Sequence, residues 1–437
     1  MTDSTIASHI KAAVPMSMQG QSTRVPSPVR TGARLENVRY EIRGVLARRA
    51  LELEAAGRKI AKLNIGNPSV FGFTVPDHVR QAIERNLVSS EAYCHQKGLV
   101  EAREAIVAQQ HRHGIAQAHV DRIFIGNGVS ELIDLALRSL LSDGDEVLLP
   151  SPDYPLWSAA VTLNGGRPVY YTCPAEREHT PDAAEIEALI TNRTRAIVLV
   201  NPNNPTGAIY PRSLLETIVG IAERHGLVLL SDEIYDEIVY DNAEFTPLAK
   251  IAGEVPCLTF DGLSKVQRAC GYRVGWLSMT GAKAAIEPLE AALDLLASLR
   301  LCANVAGQYA IAPSLEGPET ITQLVAKGGR LYETRAAVIE SCAASRFLDL
   351  VAPKGAMYAF PSVRAGLLPG FDDEAFALDL LENENVLIVP GRGFNCVPRN
   401  HFRITLLPLA PQMREVFARI ERVLERMAAA QPQRQVA

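Results

Sequence analysis

Short apolar runs alternate with longer amphipathic stretches through the middle of the chain. Seven runs of four or five residues are strand candidates: 122–125, 146–149, 168–171, 196–200, 227–230, 257–260 and 274–278. Between several of them apolar residues recur with the period of a helix, most clearly over 212–225. This alternation is typical of a largely parallel sheet with helices on both faces. Ligands bind such sheets beyond the carboxyl ends of the strands.

The pattern changes after a long helical region at about 283–334. A further helix is followed by strand candidates near 357–360, 386–389 and 402–406, and a last helix begins at Pro411. We therefore predict a large domain over 76–334 and a small α/β domain over 335–437. An N-terminal arm over 34–75, helical from about 35 to 62, is expected to join the small domain. Residues 1–33, rich in Ser, Thr, Pro and Gln, are expected to form a disordered extension.

Composition narrows the class of protein. The 437 residues are 47% hydrophobic and 21% charged, which is ordinary for a globular protein. A net charge of −5 gives no basic surface for nucleic acid. No apolar run reaches the roughly 18 residues that a membrane span needs. The seven cysteines are scattered without CxxC pairs, and the nine histidines show no metal-ligand spacing. We expect a cytoplasmic protein without a metal site.

Polar clusters follow two of the predicted strands directly. NPNNPTG at 201–207 contains two prolines and three asparagines, so it is expected to be a loop that presents polar side chains. Asp232, in SDEIY, follows four apolar residues, so its carboxylate is expected at the exit of a buried strand. A carboxylate in that position needs a partner or caps a helix.

A third cluster carries unpaired positive charge. GLSK places Ser264 and Lys265 after the run at 257–260, and Arg268 and Arg273 follow within nine residues without an acid among them. The negative partner must come from elsewhere in the chain or from a ligand.

The fourth cluster, GNGVS at 126–130, is a glycine-bearing turn that opens a helix. Such a turn can hold a phosphate on its backbone N–H groups. It begins like a dinucleotide fingerprint, but Glu131 occupies the place of the third glycine, and no Gly-Lys-Ser/Thr follows. A nicotinamide-dependent enzyme is therefore an alternative that this motif alone leaves open.

Taken together and in this order, the clusters resemble the class I/II aminotransferases of fold type I, which use pyridoxal phosphate. NPNNPTG, SDEIY, GLSK, GYRVGW, YCHQKG at 93–98 and FRIT near the C-terminus carry the resemblance, which covers nearly the whole chain after residue 33. LENVRYEIRG, LNIGNP, SPDYPLW and RLCANV are similar to segments of bacterial alanine aminotransferases. The resemblance implies a large domain with a mostly parallel seven-stranded sheet and a small α/β C-terminal domain.

The resemblance also assigns roles around the cofactor ring. Lys265 would form the covalent bond with the cofactor aldehyde and then act as the base that moves a proton. Asp232 would pair with the pyridine nitrogen, and Tyr235 and Asn204 would hydrogen-bond the 3′ oxygen. Tyr154 would stack on the ring.

Further roles concern the phosphate and the substrate. The phosphate would be bound by Ser264, Arg273, Gly128, Val129 and Ser130, with Tyr93 contributed by the partner subunit of a homodimer. Arg403 would grip the substrate α-carboxylate with its two-donor fork. The other residues expected near the substrate are Gly66, Asn204, Tyr154 and Asn304, the last across the dimer, while Arg43 reaches the pocket or forms a surface salt bridge.

One departure from the family pattern bears on the reaction. Val266 stands directly after the lysine, where the family often has Thr or Ser. The missing hydroxyl keeps open a second reaction class on the same scaffold, a pyridoxal-phosphate lyase, cyclase or oxidase. The leading prediction is ping-pong transamination, with alanine and 2-oxoglutarate, or pyruvate and glutamate, as the substrates that the resemblance implies.

Overall fold

The computed structural model describes residues 29–430. Its α-helices in that range are α1 Val45–Ala55, α2 Asp77–Arg85, α3 Val100–Arg112, α4 Val129–Leu140, α5 Leu156–Leu163, α6 Ala183–Ala188, α7 Arg212–His225, α8 Leu248–Ile251, α9 Lys283–Leu299, α10 Val305–Gln308, α11 Ile311–Glu316, α12 Thr322–Val325, α13 Arg330–Ala344, α14 Asp373–Glu384 and α15 Ala410–Ala429. Its strands are β1 Ala61–Lys62, β2 Ile123–Gly126, β3 Glu146–Ser151, β4 Arg167–Thr172, β5 Thr194–Val200, β6 Val228–Asp232, β7 Cys257–Gly262, β8 Gly275–Thr280, β9 Leu348–Asp349, β10 Tyr358–Ala359, β11 Ser362–Val363, β12 Val386–Leu387, β13 Val389–Pro390 and β14 Phe402–Thr405. Positions 1–28 of the predicted disordered extension lie outside the described residues.

Seven strands form one sheet in the order β2-β8-β7-β6-β5-β3-β4. Strand β8 runs antiparallel to both of its neighbours, and the other pairs are parallel. Successive side chains of β5 enter different cores: Ile197 and Leu199 pack on one face, and Val198 and Val200 pack on the other. Both faces are therefore apolar and covered by helices, which confirms the predicted α/β class and the seven-stranded sheet.

The N-terminal arm departs from the predicted helix over 35–62. Helix α1 is only eleven residues long, since Gly44 before it has a non-helical backbone and Gly57 after it is left-handed, with φ of +88°. Before α1 lie two short 3₁₀ helices, Ala33–Asn37 and Glu41–Arg43. After it, β1 pairs in parallel with β12 near the C-terminus. The helical periodicity of the arm thus belongs to one short helix, and the flanking residues form 3₁₀ helices before it and strand β1 after it.

A smaller unit surrounds a second core near the C-terminus. Strands β10, β14 and β13 form an antiparallel sheet, and β9 pairs with β11. Helices α13, α14 and α15 cover them around a core that includes Phe376, Phe402 and Ile420. Leu63, from the arm, packs in the same core. The predicted domain boundaries stay a proposal, but the arm and the C-terminal region share one core.

The chain crosses between the two units twice. One crossing runs from β1 to α2 over residues 63–76, and the other runs from α11 to α13 over 317–329. An apolar cluster at the junction combines residues of both units, among them Phe73, Tyr235 and Tyr358. Both crossings therefore lie close to the carboxyl ends of the central strands. Within residues 29–430, no helix has both the length and the hydropathy to cross a membrane.

Candidate active site

A cavity of about 740 Å³ opens at the carboxyl ends of the central strands, between the two units. Most of the predicted site residues line it, although they are up to 337 positions apart in the sequence: Gly66, Val129, Ser130, Tyr154, Asn204, Asp232, Tyr235, Ser264, Lys265, Arg273 and Arg403. Gly128 adjoins it through contact with the Arg273 guanidinium. Tyr93 and Asn304 do not line the cavity of the single chain, and the Tyr93 side chain is 79% exposed.

Lys265 lies in the turn that follows β7. Its Nζ donates a hydrogen bond to the carbonyl of Gly66 at 2.8 Å. No carboxylate pairs with Lys265, Arg268 or Arg273 among the described residues. The cations that the sequence brings together therefore remain without an acid partner in the fold. Two of them, Lys265 and Arg273, face the cavity, where an anionic ligand can compensate them.

Asp232 ends β6 with a buried carboxylate directed at the same cavity. Oδ2 accepts a hydrogen bond from the indole nitrogen of Trp157 at 3.2 Å, and Oδ1 accepts one from the backbone N–H of Ile234 at 3.4 Å. Burial raises the pKa of Asp232 to about 6, opposed by these bonds and by the charge of Lys265. A carboxylate held this way is well placed to accept a hydrogen bond from a protonated ring nitrogen.

Arg403 is a fully buried guanidinium on β14 of the smaller unit. Nη1 donates to Asn204 Oδ1 at 3.0 Å, and Nη2 donates to the carbonyl of Asn64. Nε has no partner among the described residues, and the group stacks between the rings of Tyr358 and Phe394. Burial lowers the pKa of Arg403. A buried cation without a carboxylate is costly alone, so the geometry fits a ligand carboxylate.

Two tyrosines stand beside this guanidinium. The hydroxyls of Tyr235 and Tyr358 are 2.9 Å apart, with the rings edge to face. Burial raises the pKa of Tyr235, which keeps its hydroxyl protonated and able to donate. Gly66 packs against this pair so closely that a Cβ there would collide with the Tyr358 hydroxyl. A side chain at position 66 would therefore displace the tyrosine from the cavity.

The start of α4 forms a cradle for an anion. Gly128 is left-handed with φ of +88°, and a Cβ there would collide with the guanidinium of Arg273. Arg273 donates to the carbonyls of Cys270 at 2.8 Å and Asn127 at 3.2 Å. Val129 and Ser130, the first residues of the twelve-residue helix α4, line the cavity together with Ser264. Backbone donors and one cation at a helix start are suited to a phosphate.

Glu131 explains why this turn lacks the third glycine of a dinucleotide fingerprint. Its carboxylate accepts from the backbone and side-chain nitrogens of Asn127 at 2.7 and 3.0 Å, and it pairs with Arg300. The Asn127 side chain in turn accepts from the backbone N–H of Asn304 at 2.8 Å. A glycine at position 131 could not make these bonds. The turn at 126–131 is therefore a phosphate loop of a different kind from the dinucleotide fingerprint.

Several residues of the cavity were not predicted from the sequence. Tyr40 and Ile42 come from the arm, and the Tyr40 hydroxyl lies 3.4 Å from that of Tyr154. Tyr358 comes from β10. Trp157, which supports Asp232 from outside the lining, lies in the SPDYPLW segment. The remaining unpredicted lining residues are Ile65, Asn67, Ser69, Leu156, Val200, Ile234, Cys270 and Gly271. The segments LENVRYEIRG, LNIGNP and SPDYPLW were the available signal, because they contain the lining residues Tyr40, Ile42, Ile65, Asn67 and Leu156.

Val266, the departure from the family pattern, does not face the cavity. Its side chain is buried in the junction cluster with Phe73 and Tyr235. A valine is suited to that apolar environment, and a hydroxyl there would need a partner. Val266 therefore contributes to the packing beneath the lysine turn and does not belong to the cavity lining.

Residues 58–420 match the family described as aminotransferase class I and II. The chain belongs to this family. It is 46% identical to the glutamate-pyruvate aminotransferase AlaA of Haemophilus influenzae, over 90% of this chain and 97% of that protein. It is 45% identical to the alanine aminotransferase of Mycobacterium bovis, over 90% of this chain and 91% of that protein. A crystal structure of an aminotransferase from Escherichia coli superposes with a TM-score of 0.90 at 45% identity, covering 91% of this chain and 99% of the other.

This membership confirms the predicted family, fold, cofactor and reaction class. The chain is a pyridoxal-phosphate-dependent aminotransferase of fold type I, and its substrates are amino acids and 2-oxo acids. The nicotinamide alternative suggested by the turn at 126–130 is wrong. The residue types in the cavity fit the cofactor, because an amine, a buried carboxylate and unpaired cations match its aldehyde, its ring nitrogen and its phosphate.

Proposed function

We propose that this aminotransferase exchanges the amino group between alanine and glutamate, with pyruvate and 2-oxoglutarate as the oxo acids. One observation carries the proposal: the Lys265 amine, the buried Asp232 carboxylate and the Arg403 guanidinium meet in one cavity. The names of the two relatives, a glutamate-pyruvate and an alanine aminotransferase, support this choice of substrates. We place the enzyme in the cytoplasm, because all seven cysteines are free thiols.

The cofactor, when bound, supplies an electron-accepting ring that stabilises negative charge on the substrate α-carbon. Lys265 would hold it covalently, and Asp232 would keep a proton on its ring nitrogen. Tyr235 and Asn204 would donate to the 3′ oxygen, and Tyr154 would cover the ring face. The phosphate would be bound by Ser264, Arg273, Gly128, Val129 and Ser130, which surround the start of α4.

Two groups of the chain would handle the substrate itself. Arg403 would bind the α-carboxylate through its η nitrogens. Gly66 allows the substrate backbone to approach closely and holds the Lys265 amine through its carbonyl. Once the substrate amine has taken the place of the lysine, the Lys265 amine would be free to carry a proton away from the α-carbon.

A half-reaction tests this proposal directly. The purified holoenzyme is mixed with each amino acid in the absence of an oxo acid, and the cofactor absorbance and released oxo acid are recorded. We expect alanine and glutamate to convert the cofactor to its amino form, with one oxo acid released per site. Oxo acid released without that conversion, or with oxygen uptake, would contradict transamination.

We predict that Arg43 distinguishes the dicarboxylic substrates. It lines the cavity mouth, is exposed, and has no carboxylate partner among the described residues. Arg43→Met is expected to raise KM for glutamate and 2-oxoglutarate roughly tenfold, since one charge-assisted hydrogen bond is lost. KM for alanine and pyruvate should change less than about twofold. Steady-state kinetics with both pairs measures this.

Arg48→Met is the matched control for that variant. Arg48 is also exposed and lies on α1, but it does not line the cavity. It should leave all four KM values unchanged. An equal rise in KM for alanine and glutamate in Arg43→Met would assign Arg43 a general role instead of a role in recognising the second carboxylate.

We further propose a homodimer in which each subunit completes the site of the other. Tyr93 is 79% exposed although it is aromatic, and Leu295, Leu299 and Leu301 are exposed near the end of α9. Such exposed apolar side chains favour a protein interface. Tyr93 would reach the phosphate of the partner's cofactor, and Asn304 would lie close to the same interface.

Mixed dimers test the shared site. Tyr93→Ala and Lys265→Ala chains are each expected to be nearly inactive at limiting cofactor. When they are unfolded together and refolded as a mixture, random pairing makes half of the dimers mixed, and each mixed dimer has one complete site. Activity should therefore rise to about a quarter of the wild-type value. Activity equal to the average of the two parents would contradict a shared site.

A further inference from the structure

Arg268 is the buried cation of the lysine turn that the cofactor does not explain. It is 5% exposed, does not line the cavity, and has a left-handed backbone with φ of +57°. Burial lowers its pKa. A buried arginine in a left-handed conformation without a carboxylate destabilises the fold unless its contacts compensate.

Its guanidinium bonds to three separate segments. Nη1 donates to the carbonyl of Val266 at 2.8 Å, Nε donates to the carbonyl of Thr74 at 3.1 Å, and Nη2 donates to the hydroxyl of Thr320 at 2.6 Å. Val266 belongs to the lysine turn, Thr74 to the first crossing and Thr320 to the second. The Arg268 carbonyl also accepts from Ser69 Oγ at 3.3 Å. One side chain therefore links the lysine turn to both crossings between the units.

The first crossing connects the two ends of the candidate active site. Its Gly66 carbonyl accepts from Lys265 of the larger unit, and the Asn64 carbonyl accepts from Arg403 of the smaller unit. The distance between the Lys265 amine and the Arg403 guanidinium thus depends on where this segment lies. Arg268 and Ser69 hold it on the side of the lysine turn.

We propose that Arg268 is a positioning residue that keeps both crossings in register with the lysine turn. When both crossings are held in this position, a substrate whose carboxylate is bound by Arg403 places its α-carbon next to Lys265. The inference rests on the proposed roles of those two residues. Arg268 touches neither the cavity nor the phosphate cradle, so its effect should appear in substrate binding and turnover and not in cofactor affinity.

Arg268→Met tests this in the holoenzyme, with Arg103→Met as the matched control. Arg103 is 7% exposed and, like Arg268, donates to neutral acceptors, in its case the backbone carbonyls of Gly98 at 3.2 Å and Val120 at 2.8 Å, both in the larger unit. Three quantities are measured: the midpoint of thermal unfolding, the Kd for pyridoxal phosphate, and the concentration dependence of the half-reaction with alanine.

Both variants are expected to lower the unfolding temperature. Only Arg268→Met should raise the apparent Kd for alanine roughly tenfold and lower the limiting rate, since the lost hydrogen bonds no longer hold the two crossings against the lysine turn. Its Kd for pyridoxal phosphate should stay within about twofold of wild type. Equal alanine binding in the two variants, or a cofactor Kd that rises as much as the alanine Kd, would reduce Arg268 to a structural residue.

Thr320→Val keeps the experiment decisive if Arg268→Met fails to fold. It removes one acceptor of the guanidinium and preserves side-chain volume. We expect a roughly threefold rise in the apparent Kd for alanine with unchanged cofactor binding. No change would overturn the inference. Failure of the wild-type half-reaction would instead overturn the proposed function, so the two failures are distinguishable.

Discussion

Lys265→Ala is expected to abolish amino transfer while leaving the fold intact. The residue lies in a turn at the cavity, and its Nζ makes one hydrogen bond, to the Gly66 carbonyl. Its removal therefore costs little packing. The variant loses both the covalent attachment and the proton carrier, so the half-reaction rate should fall by at least about 10⁴-fold. Stopped-flow absorbance with alanine, combined with thermal unfolding, measures both effects.

Two additions make this result specific. Lys250→Ala removes an exposed lysine on α8 and should leave the rate unchanged. Reduction of the wild-type holoenzyme with borohydride should attach the cofactor permanently to the peptide that contains Lys265, and the variant should remain unlabelled. A label on another lysine, or a variant rate within tenfold of wild type, would refute the assignment. Partial recovery of the rate with added small amines would support the role of the amine as a proton carrier.

The large sheet was predictable because its central strands are buried on both faces. Runs such as 196–200 and 257–260 are largely apolar, and the structure extends each by two residues into β5 and β7. In the smaller unit the apolar run at 386–389 splits into β12 and β13, which pair with different strands. The hydrophobicity of a segment does not show that its two halves pair with different strands. The division of 386–389 into β12 and β13 could therefore not be predicted from the sequence.

The cavity residues from the large sheet could be anticipated for the same reason. Asp232 is the last residue of β6, and the carboxyl ends of parallel strands meet at one edge. Tyr40 and Tyr358 follow no such rule, because the arm and the smaller unit bring them into the cavity. Their positions depend on long-range packing.

Arg268 shows a further limit of sequence reasoning. Three cations within nine residues suggested one anionic ligand, but only Lys265 and Arg273 face the cavity. The left-handed backbone of Arg268 turns its side chain toward the crossings, where carbonyl and hydroxyl groups accept its hydrogen bonds. Charge clustering in the sequence could not separate a ligand-binding arginine from one that bonds to neutral acceptors.

Asp232→Asn is expected to lower the transamination rate by roughly 10³-fold, the loss typical of removing one buried electrostatic partner. An amide in this position cannot hold a proton on the ring nitrogen, so the ring accepts electrons less well. The covalent link to Lys265 and the phosphate cradle are unaffected, and the cofactor should remain bound. Half-reaction kinetics with alanine measure the loss. A decrease of less than tenfold would show that the ring proton is held by another group.

The same variant should also change how the stability of the cofactor-free protein depends on pH. Burial raises the pKa of Asp232 to about 6 from its ordinary value of 3.8. Between those values the folded state binds more protons at this site than the unfolded state does. Stability contributed by this group is therefore present at low pH and is lost as pH rises through about 6.

Asp232→Asn removes this titration, whatever its hydrogen bonds with Trp157 and Ile234 cost. Denaturant unfolding of the cofactor-free proteins at pH 4 and pH 7 measures the difference. The wild type should lose roughly 2.4 kcal/mol relative to the variant between these two values, because the pKa is about two units higher in the folded state and the unfolded carboxyl is already partly protonated at pH 4. Asp153 is also buried, but Asp232 does not contribute to its raised pKa, so its titration is the same in both proteins and cancels. A constant difference would mean that Asp232 is not desolvated, and the cofactor's ring nitrogen would then not be needed to compensate a buried charge.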